Sequence, residues 1–356
     1  MINDQLYANP YGLAKSKKKS YFAKIMKELT ELHYDKCEYY ANIIDTLYPR
    51  SLNDDLSVME NIPFIPVSIF KKMKMHSVND KDIFKTLSSS GTSSSQPSKI
   101  ILDRETAMTQ TKVLSSIVQN YLGKIRLPMI IVDKESTIKS KAAFNARAAG
   151  IIGFSQFGRD HFYLLDENEN IRINDLQDFI NEIRDQKLFI FGFTFMLWKY
   201  LYQETQKLSL SLNFNNGVVL HGGGWKRLKD QAVSEEIFKK RLSSVFNLSA
   251  VHNYYGFIEQ VGSIFIECEY GHLHASDFSD IIIRDQKTLA PLPFNQIGLI
   301  QGLSILSKSY PGHSILTEDL GVCLGEDDCA CERKGKYFKV IGRLPAAEIR
   351  GCSDTH

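Results

Sequence analysis

Two groups of residues in this 356-residue chain have types and spacing suited to chemistry. The first is Ser88–Lys99, SSSGTSSSQPSK, where six serines, a threonine and a glycine precede a proline and a lysine closes the stretch. Small residues let a backbone approach an anion, with N–H groups and hydroxyls turned inward to meet it. Ser89, Ser90, Gly91, Thr92 and Ser93 supply such donors, and Lys99 adds a point charge suited to phosphate. A flexible linker has similar composition, but the strand-like Ile-Ile-Leu follows directly on Pro-Ser-Lys, so the stretch reads as a loop closing into a strand. It is not a Walker loop, because no G-x-x-x-x-G-K-[ST] occurs in the chain.

The second group is made of cysteines. Of the six, Cys37 stands apart and the other five lie between 268 and 352. In a reducing compartment that crowding points to metal or catalysis rather than to disulfides. Cys268, His274, Cys329 and Cys331 form a C-x5-H…C-x-C pattern, which offers three thiolates and an imidazole, a tetrahedral set for structural Zn2+. His272 could replace His274, and Cys323 could replace either later cysteine. Reduced cysteines on a loop are the alternative.

Positioning these groups requires a scaffold, and the chain offers a mixed one. Residues 21–47 are helical in period, with Phe22, Ile25, Met26, Leu29, Leu32 and Tyr39 on one stripe. IPFIPVSIF (62–70) carries two prolines among apolar residues and is therefore extended and packed. Strand signals at 127–131, 187–193, 217–225 and 249–254 alternate with helical ones at 139–151, 195–202 and 226–241. A strand–turn–strand segment to 274 and the runs DIIIR and GLIQGLSIL follow. Such alternation predicts an α/β fold, mixed β-sheets covered by helices. No internal repeat and no shift in composition divides the chain.

Composition excludes several functions. With 24% charged residues and a net formal charge of +2, the chain has no basic excess that would argue for nucleic acid, and Lys15–Lys19 reads as a solvated helix face. No apolar run reaches the roughly 18 residues of a membrane span. The N-terminus lacks the apolar core of a signal peptide, so the expectation is a cytoplasmic protein.

The serine-rich stretch resembles the phosphate loop of the adenylate-forming superfamily, the acyl- and aryl-CoA ligases and their relatives. Four further pieces are similar to that superfamily's motifs and stand in the same order. These are HGGGW (221–225), YYGFIEQ (254–260), TEDLG (317–321) and IGRL (341–344). Within the superfamily the chain is most similar to the LuxE-type acyl-protein synthetases, through IPFIPVSIFK (62–71), LHGGGWK (220–226), ECEYGHLH (267–274) and the terminal RGCSDTH. The related phenylacetate–CoA ligases resemble the Cys/His region.

The resemblance implies the N-terminal large domain of an adenylate-forming enzyme over 1–345, with a helical segment to about residue 60 and a tail, 346–356, carrying Cys352. Residues 344–356 are too few for the C-terminal lid of ordinary superfamily members, so no separate lid is expected. The implied cofactors are ATP and Mg2+. Gly222, Gly223, Gly224, Tyr255 and Gly256 would flank adenine, Asp319 would accept the ribose hydroxyls, Arg343 would reach ribose or phosphate, and Glu259 would hold Mg2+, a hard cation that prefers oxygen. The aromatic run after 192 would shape an acyl pocket through Gly192, Phe193, Phe195 and Trp198, with simple core as its alternative.

An acyl-adenylate is a reactive mixed anhydride that suits a soft nucleophile. By the resemblance this is Cys352, given reach by Gly351 and the chain end, with Arg350 favouring the thiolate. The expected activity is ATP-dependent acyl-protein synthesis. A carboxylic acid, fatty in the family, would be adenylated, moved to Cys352 and passed to an acyl reductase or another acceptor protein. The alternatives are a CoA ligase and a non-catalytic subunit that keeps the nucleotide fold.

Overall fold

A computed structural model describes residues 4–48, 55–89, 97–139 and 146–344. Contacts divide the chain into two units, one from residues 1–120 with 256–352, the other centred on residues 121–255.

After a short helical turn, Asp4–Ala8, the first unit continues with α1 (Lys15–Lys36) and α2 (Glu38–Leu47). The single helical period expected over 21–47 is broken at Cys37, whose extended backbone ends one helix and starts the next. The buried stripe of α1 also differs from the apolar one. Phe22, Met26 and Leu29 are buried together with Thr30 and His33, whereas Leu32 and Tyr39 face solvent. The polar pair is buried because it finds partners. The His33 Nε2–H donates to the Ser307 carbonyl at 2.8 Å, the Ser77 hydroxyl donates to Nδ1 at 2.7 Å, and the ring stacks on His313 at 5.0 Å.

Next come β1 (Ile65–Pro66), the antiparallel pair β2 (Lys85–Ser88) and β3 (Lys99–Leu102), and α3 (Arg104–Leu122). The two-proline segment is packed as expected. Ile65 and Phe70 lie in a core cluster with Cys37, Tyr40, Tyr310 and Ile315.

The second unit is a parallel sheet of β4 (Leu127–Lys134), β5 (Gly158–Leu165), β6 (Phe189–Phe193), β7 (Gly217–Gly222) and β8 (Leu248–Tyr255). Its strand order is β8-β7-β6-β4-β5. β6 and β7 are buried throughout, which is why they read as unbroken apolar runs rather than alternating ones. Helices connect the strands, among them Glu235–Phe246, whose Ser234 cap accepts from the Ile237 N–H. The helical signal expected at 226–241 is therefore a short 3-10 segment (Lys226–Gln231) followed by a separate helix. Numbered from β4, the order is 2-1-3-4-5. In such a sheet the ligand crevice lies outside the carboxyl ends of the strands where the order reverses, here β4 and β6.

The chain then returns to the first unit as an antiparallel sheet. It comprises β9 (Phe265–Glu267), β10 (Leu273–His274), β11 (Ser279–Arg284), β12 (Ile297–Ser304), β13 (Ser314–Glu326) and β14 (Lys336–Arg343). The order is β11-β12-β13-β14-β10-β9, with β1 added in parallel to β13 through Ile65↔Ile315.

Candidate functional site

In the first unit the serine loop is the connection of a hairpin. Ser88 pairs with Lys99 across β2 and β3, the Ser89 N–H donates to the Ser98 carbonyl at 3.0 Å, and the Ser98 N–H donates to Ser89 Oγ at 2.8 Å. The rungs bring the two ends of the loop together, and Lys99 stands exposed at the base. Ser90, Gly91, Thr92 and Ser93 lie outside the described residues.

Glu259 sits in a short helical turn, Ile258–Gln260, and is 5% exposed. Burial raises its carboxyl above the usual range, while the Ser98 hydroxyl at the foot of the serine hairpin, then Lys71 and Arg343, pull it down. Glu259 is thus linked electrostatically both to the serine hairpin and to β14. Asp319 and Arg343 face each other across β13 and β14, and Arg343 Nε donates to Asp319 Oδ1 at 2.8 Å. Thr317 secures this end of β13. Its hydroxyl donates to the Ile300 carbonyl at 2.8 Å and accepts from the Asp319 N–H at 3.2 Å. Of these residues, Ser98 and Lys71 were legible only as members of motifs, and Thr317 only as the first letter of TEDLG.

The second unit holds the glycine-rich strand end. Gly223 has φ +81°, and a Cβ there would fall 2.4 Å from the Phe193 ring, so no other residue fits without displacing that ring. Thr194 ties the ends of β6 and β7 together. Its hydroxyl lies 3.0 Å from His221 Nδ1 and 3.1 Å from the Gly222 carbonyl. Burial, and then the Lys239 charge, lower His221 to about 3, so the ring is neutral. Tyr255 ends β8 half-buried, and Gly256 opens the return to the first unit.

Of the four expected acyl-pocket residues, Gly192, Phe193 and Trp198 are buried and Phe195 is half-buried. Gly192 is packed tightly, since a Cβ would come within 3.0 Å of Val132 and 3.2 Å of Leu197. Trp198 lies in the π-helical segment Leu197–Glu204 and stacks on Tyr202 at 4.7 Å and Phe238 at 5.9 Å.

At the carboxyl end of β4, beside the reversal of strand order, lies a pair that the sequence did not reveal. Asp133 is 2% exposed and accepts from Arg147 Nε at 2.9 Å and from the Thr137 hydroxyl at 2.7 Å. The one available signal was an acid closing the apolar run MIIVD.

The cysteine set converges in the first unit. Ligand atoms of Cys268, His274, Cys329 and Cys331 all lie within 4.8 Å of one another. Cys268 and His274 come from the β9–β10 turn, where the Cys268 N–H donates to the His272 carbonyl at 2.8 Å and Gly271 takes φ +78°. Cys329 and Cys331 come from the turn between β13 and β14. Of the alternatives, His272 directs Nδ1 at Cys329 Sγ from 3.4 Å, while Cys323 turns away toward the Gly325 and Tyr337 carbonyls. Cys352 lies outside the described residues. No helix among the described residues is long and apolar enough to cross a membrane.

Comparison with known proteins agrees with this architecture. A family described as acyl-protein synthetase, LuxE, matches residues 1–356. A long-chain-fatty-acid–luciferin-component ligase of Aliivibrio fischeri is 24% identical over 349 residues, which cover 93% of this chain and 86% of that protein. Its counterpart from Vibrio harveyi is 23% identical over 377 residues, covering 99% and 92%. Among solved structures, an open conformation of 2-hydroxyisobutyryl-CoA ligase in complex with 2-HIB-AMP and CoA matches with a TM-score of 0.72 at 12% identity, over 94% of this chain and 77% of that one. The fold is therefore that of the adenylate-forming ligases, as the motif order predicts.

Proposed function

The chain belongs to the LuxE acyl-protein synthetase family, and from that premise we propose that it activates a carboxylic acid with ATP and carries the acyl group on its own Cys352. A carboxylate oxygen attacks the α-phosphorus of ATP, the bond to the β-phosphate bridging oxygen breaks, and pyrophosphate leaves. The Cys352 thiolate then attacks the acyl carbonyl and AMP departs with the bonding pair, leaving a thioester for an acyl reductase or another acceptor protein. A long-chain fatty acid is the substrate class that the curated relatives' names suggest.

The observation that carries the reading is that residues of four motifs lie in one unit, with Asp319 and Arg343 paired across β13 and β14. Glu259 lies under the combined influence of Ser98, at the foot of the serine hairpin, and of Arg343, which itself holds Asp319. Adenylation spreads charge over phosphate oxygens, and donors already in place stabilise it most. The hairpin loop, with Lys99 at its base, would cradle the phosphates. Asp319, fixed by Thr317 and Arg343, would take the ribose hydroxyls. A buried acid whose carboxyl is raised by burial fits a hard cation, and Mg2+ held by Glu259 would supply charge neutralisation at the phosphates.

Acid-dependent exchange of labelled pyrophosphate into ATP tests the first half-reaction alone. The wild type is expected to catalyse it with a fatty acid. An absence of exchange with every acid tried would leave the non-catalytic subunit as the better reading.

A further inference from the structure

We propose that Cys268, His274, Cys329 and Cys331 hold one structural Zn2+ that clamps the β9–β10 turn to the β13–β14 turn. Around a tetrahedral zinc with Zn–S of about 2.3 Å and Zn–N of about 2.0 Å, sulfurs lie roughly 3.8 Å apart and sulfur and nitrogen roughly 3.5 Å apart. Cys268 Sγ and Cys329 Sγ are 3.9 Å apart, and Cys331 Sγ lies 3.2 Å from His274 Nε2. The sulfur pair is far beyond the roughly 2.05 Å of a disulfide. All four donor atoms fit inside a sphere that one cation would bridge.

A second observation is independent of these distances. His274 is fully buried, its Nε2 meets a cysteine sulfur, and its Nδ1 has no hydrogen-bond partner among the described residues. A buried imidazole held by one weak S–H···N bond is poorly compensated, whereas a metal bond at Nε2 would offset its desolvation. Three thiolates with one imidazole in tetrahedral array select zinc over the harder divalent cations.

The surrounding backbone is built to present these donors. Gly271 in its positive-φ conformation folds the β9–β10 turn back so that Cys268 and His274 face the same side. The Glu332 N–H donates to the Cys329 carbonyl at 2.9 Å, and Gly335 and Asp327 exchange bonds of 2.7 and 3.1 Å that close the β13–β14 turn. Arg333 bridges the two turns through Glu269 at 3.0 Å. His272 contacts Cys329 Sγ through Nδ1, and we assign it to the surround as a donor to the thiolate rather than to the metal. Since Cys268 and Cys329 are 61 residues apart, one ion would close a long loop.

The test is elemental analysis of full-length protein purified without chelator from zinc-replete cells, beside His274→Ala, Cys331→Ser and His272→Ala. The expected result is about one zinc per chain in the wild type and in His272→Ala, with at least a fivefold loss in the other two variants. Cobalt added to metal-stripped wild type should give a tetrahedral cobalt–thiolate spectrum, a readout that does not depend on the variants folding. The wild-type melting temperature should drop on stripping and recover with zinc. The proposal is overturned by a wild type with less than about 0.2 zinc per chain that binds no cobalt through sulfur. A Cys268–Cys329 disulfide in the purified protein would overturn it too. Loss of zinc from His272→Ala with retention in His274→Ala would overturn the ligand assignment.

Discussion

Replacing Glu259 by Gln removes a charge and keeps the volume of a buried side chain, so it separates the electrostatic role of this acid from its packing. If Glu259 holds the cation that neutralises the phosphates, Glu259→Gln should slow acid-dependent pyrophosphate exchange by about 10²–10³-fold, the usual cost of losing one preorganised charge partner. Melting should stay close to wild type, and exchange at the wild-type rate would remove Glu259 from the site. Thr317→Val makes a milder change. The Asp319 N–H loses an acceptor, a loss worth about 1 kcal/mol, so the KM for ATP should rise several-fold with a smaller change in kcat. An unchanged KM would mean that Asp319 is positioned by Arg343 alone. Glu259, Asp319 and the Cys/His set could be singled out in the sequence, the two acids through motifs that resemble those of a known family and the Cys/His set through its residue types. Asp133 and Arg147 could not, because the partners are 14 residues apart and only the fold of the second unit brings them to one strand end.

At the scale of elements, the hairpin β2–β3 and the short strand β1 position the serine loop and the β13 edge. Ile65 is fully buried and stands opposite Ile315. Ile65→Ala should cost ~2–5 kcal/mol, the range for a truncated core side chain, seen as a lower midpoint in urea. A loss under about 0.5 kcal/mol would mean that β1 contributes little to the first unit. Strands that are buried on both faces were read from their apolar runs, and IPFIPVSIF from its prolines. The buried stripe of α1 departs from its apolar period for a physical reason. Period counts only apolar side chains, whereas Thr30 and His33 take buried positions because Ser307, Ser77 and His313, from distant parts of the chain, satisfy them. The break at Cys37 was likewise invisible, since nothing in the local composition stops a helix there.

At the scale of the whole molecule, several neutral histidines are buried, and this sets the dependence of stability on pH. Burial lowers His33 and His221 to about 3, against an ordinary value near 6.5, and puts His313 well below that value. Between those limits the unfolded chain binds protons that the folded one does not. The stabilisation that depends on these neutral rings is therefore complete above about pH 6.5 and is lost as pH drops toward 3, by about 1.4 kcal/mol per pH unit for His33 and for His221. Asp277, raised by burial to about 6, works in the opposite sense between about pH 6 and 4. The melting temperature should decline from pH 7 to pH 5, and His33→Gln should flatten that decline. Equal melting temperatures at the two pH values would contradict it. The division into two units was not legible either, because residues 121–255 interrupt the other unit with no change in composition at either boundary. The central claim, that the chain makes an acyl-adenylate and carries the acyl group on Cys352, is tested most directly by intact-protein mass spectrometry. Wild type and Cys352→Ser would each be incubated with ATP, Mg2+ and a panel of carboxylic acids. The account predicts a hydroxylamine-labile acyl mass on the wild type alone. Pyrophosphate release without any adduct, or the same adduct on Cys352→Ser, would contradict it and direct attention to CoA or to another acceptor.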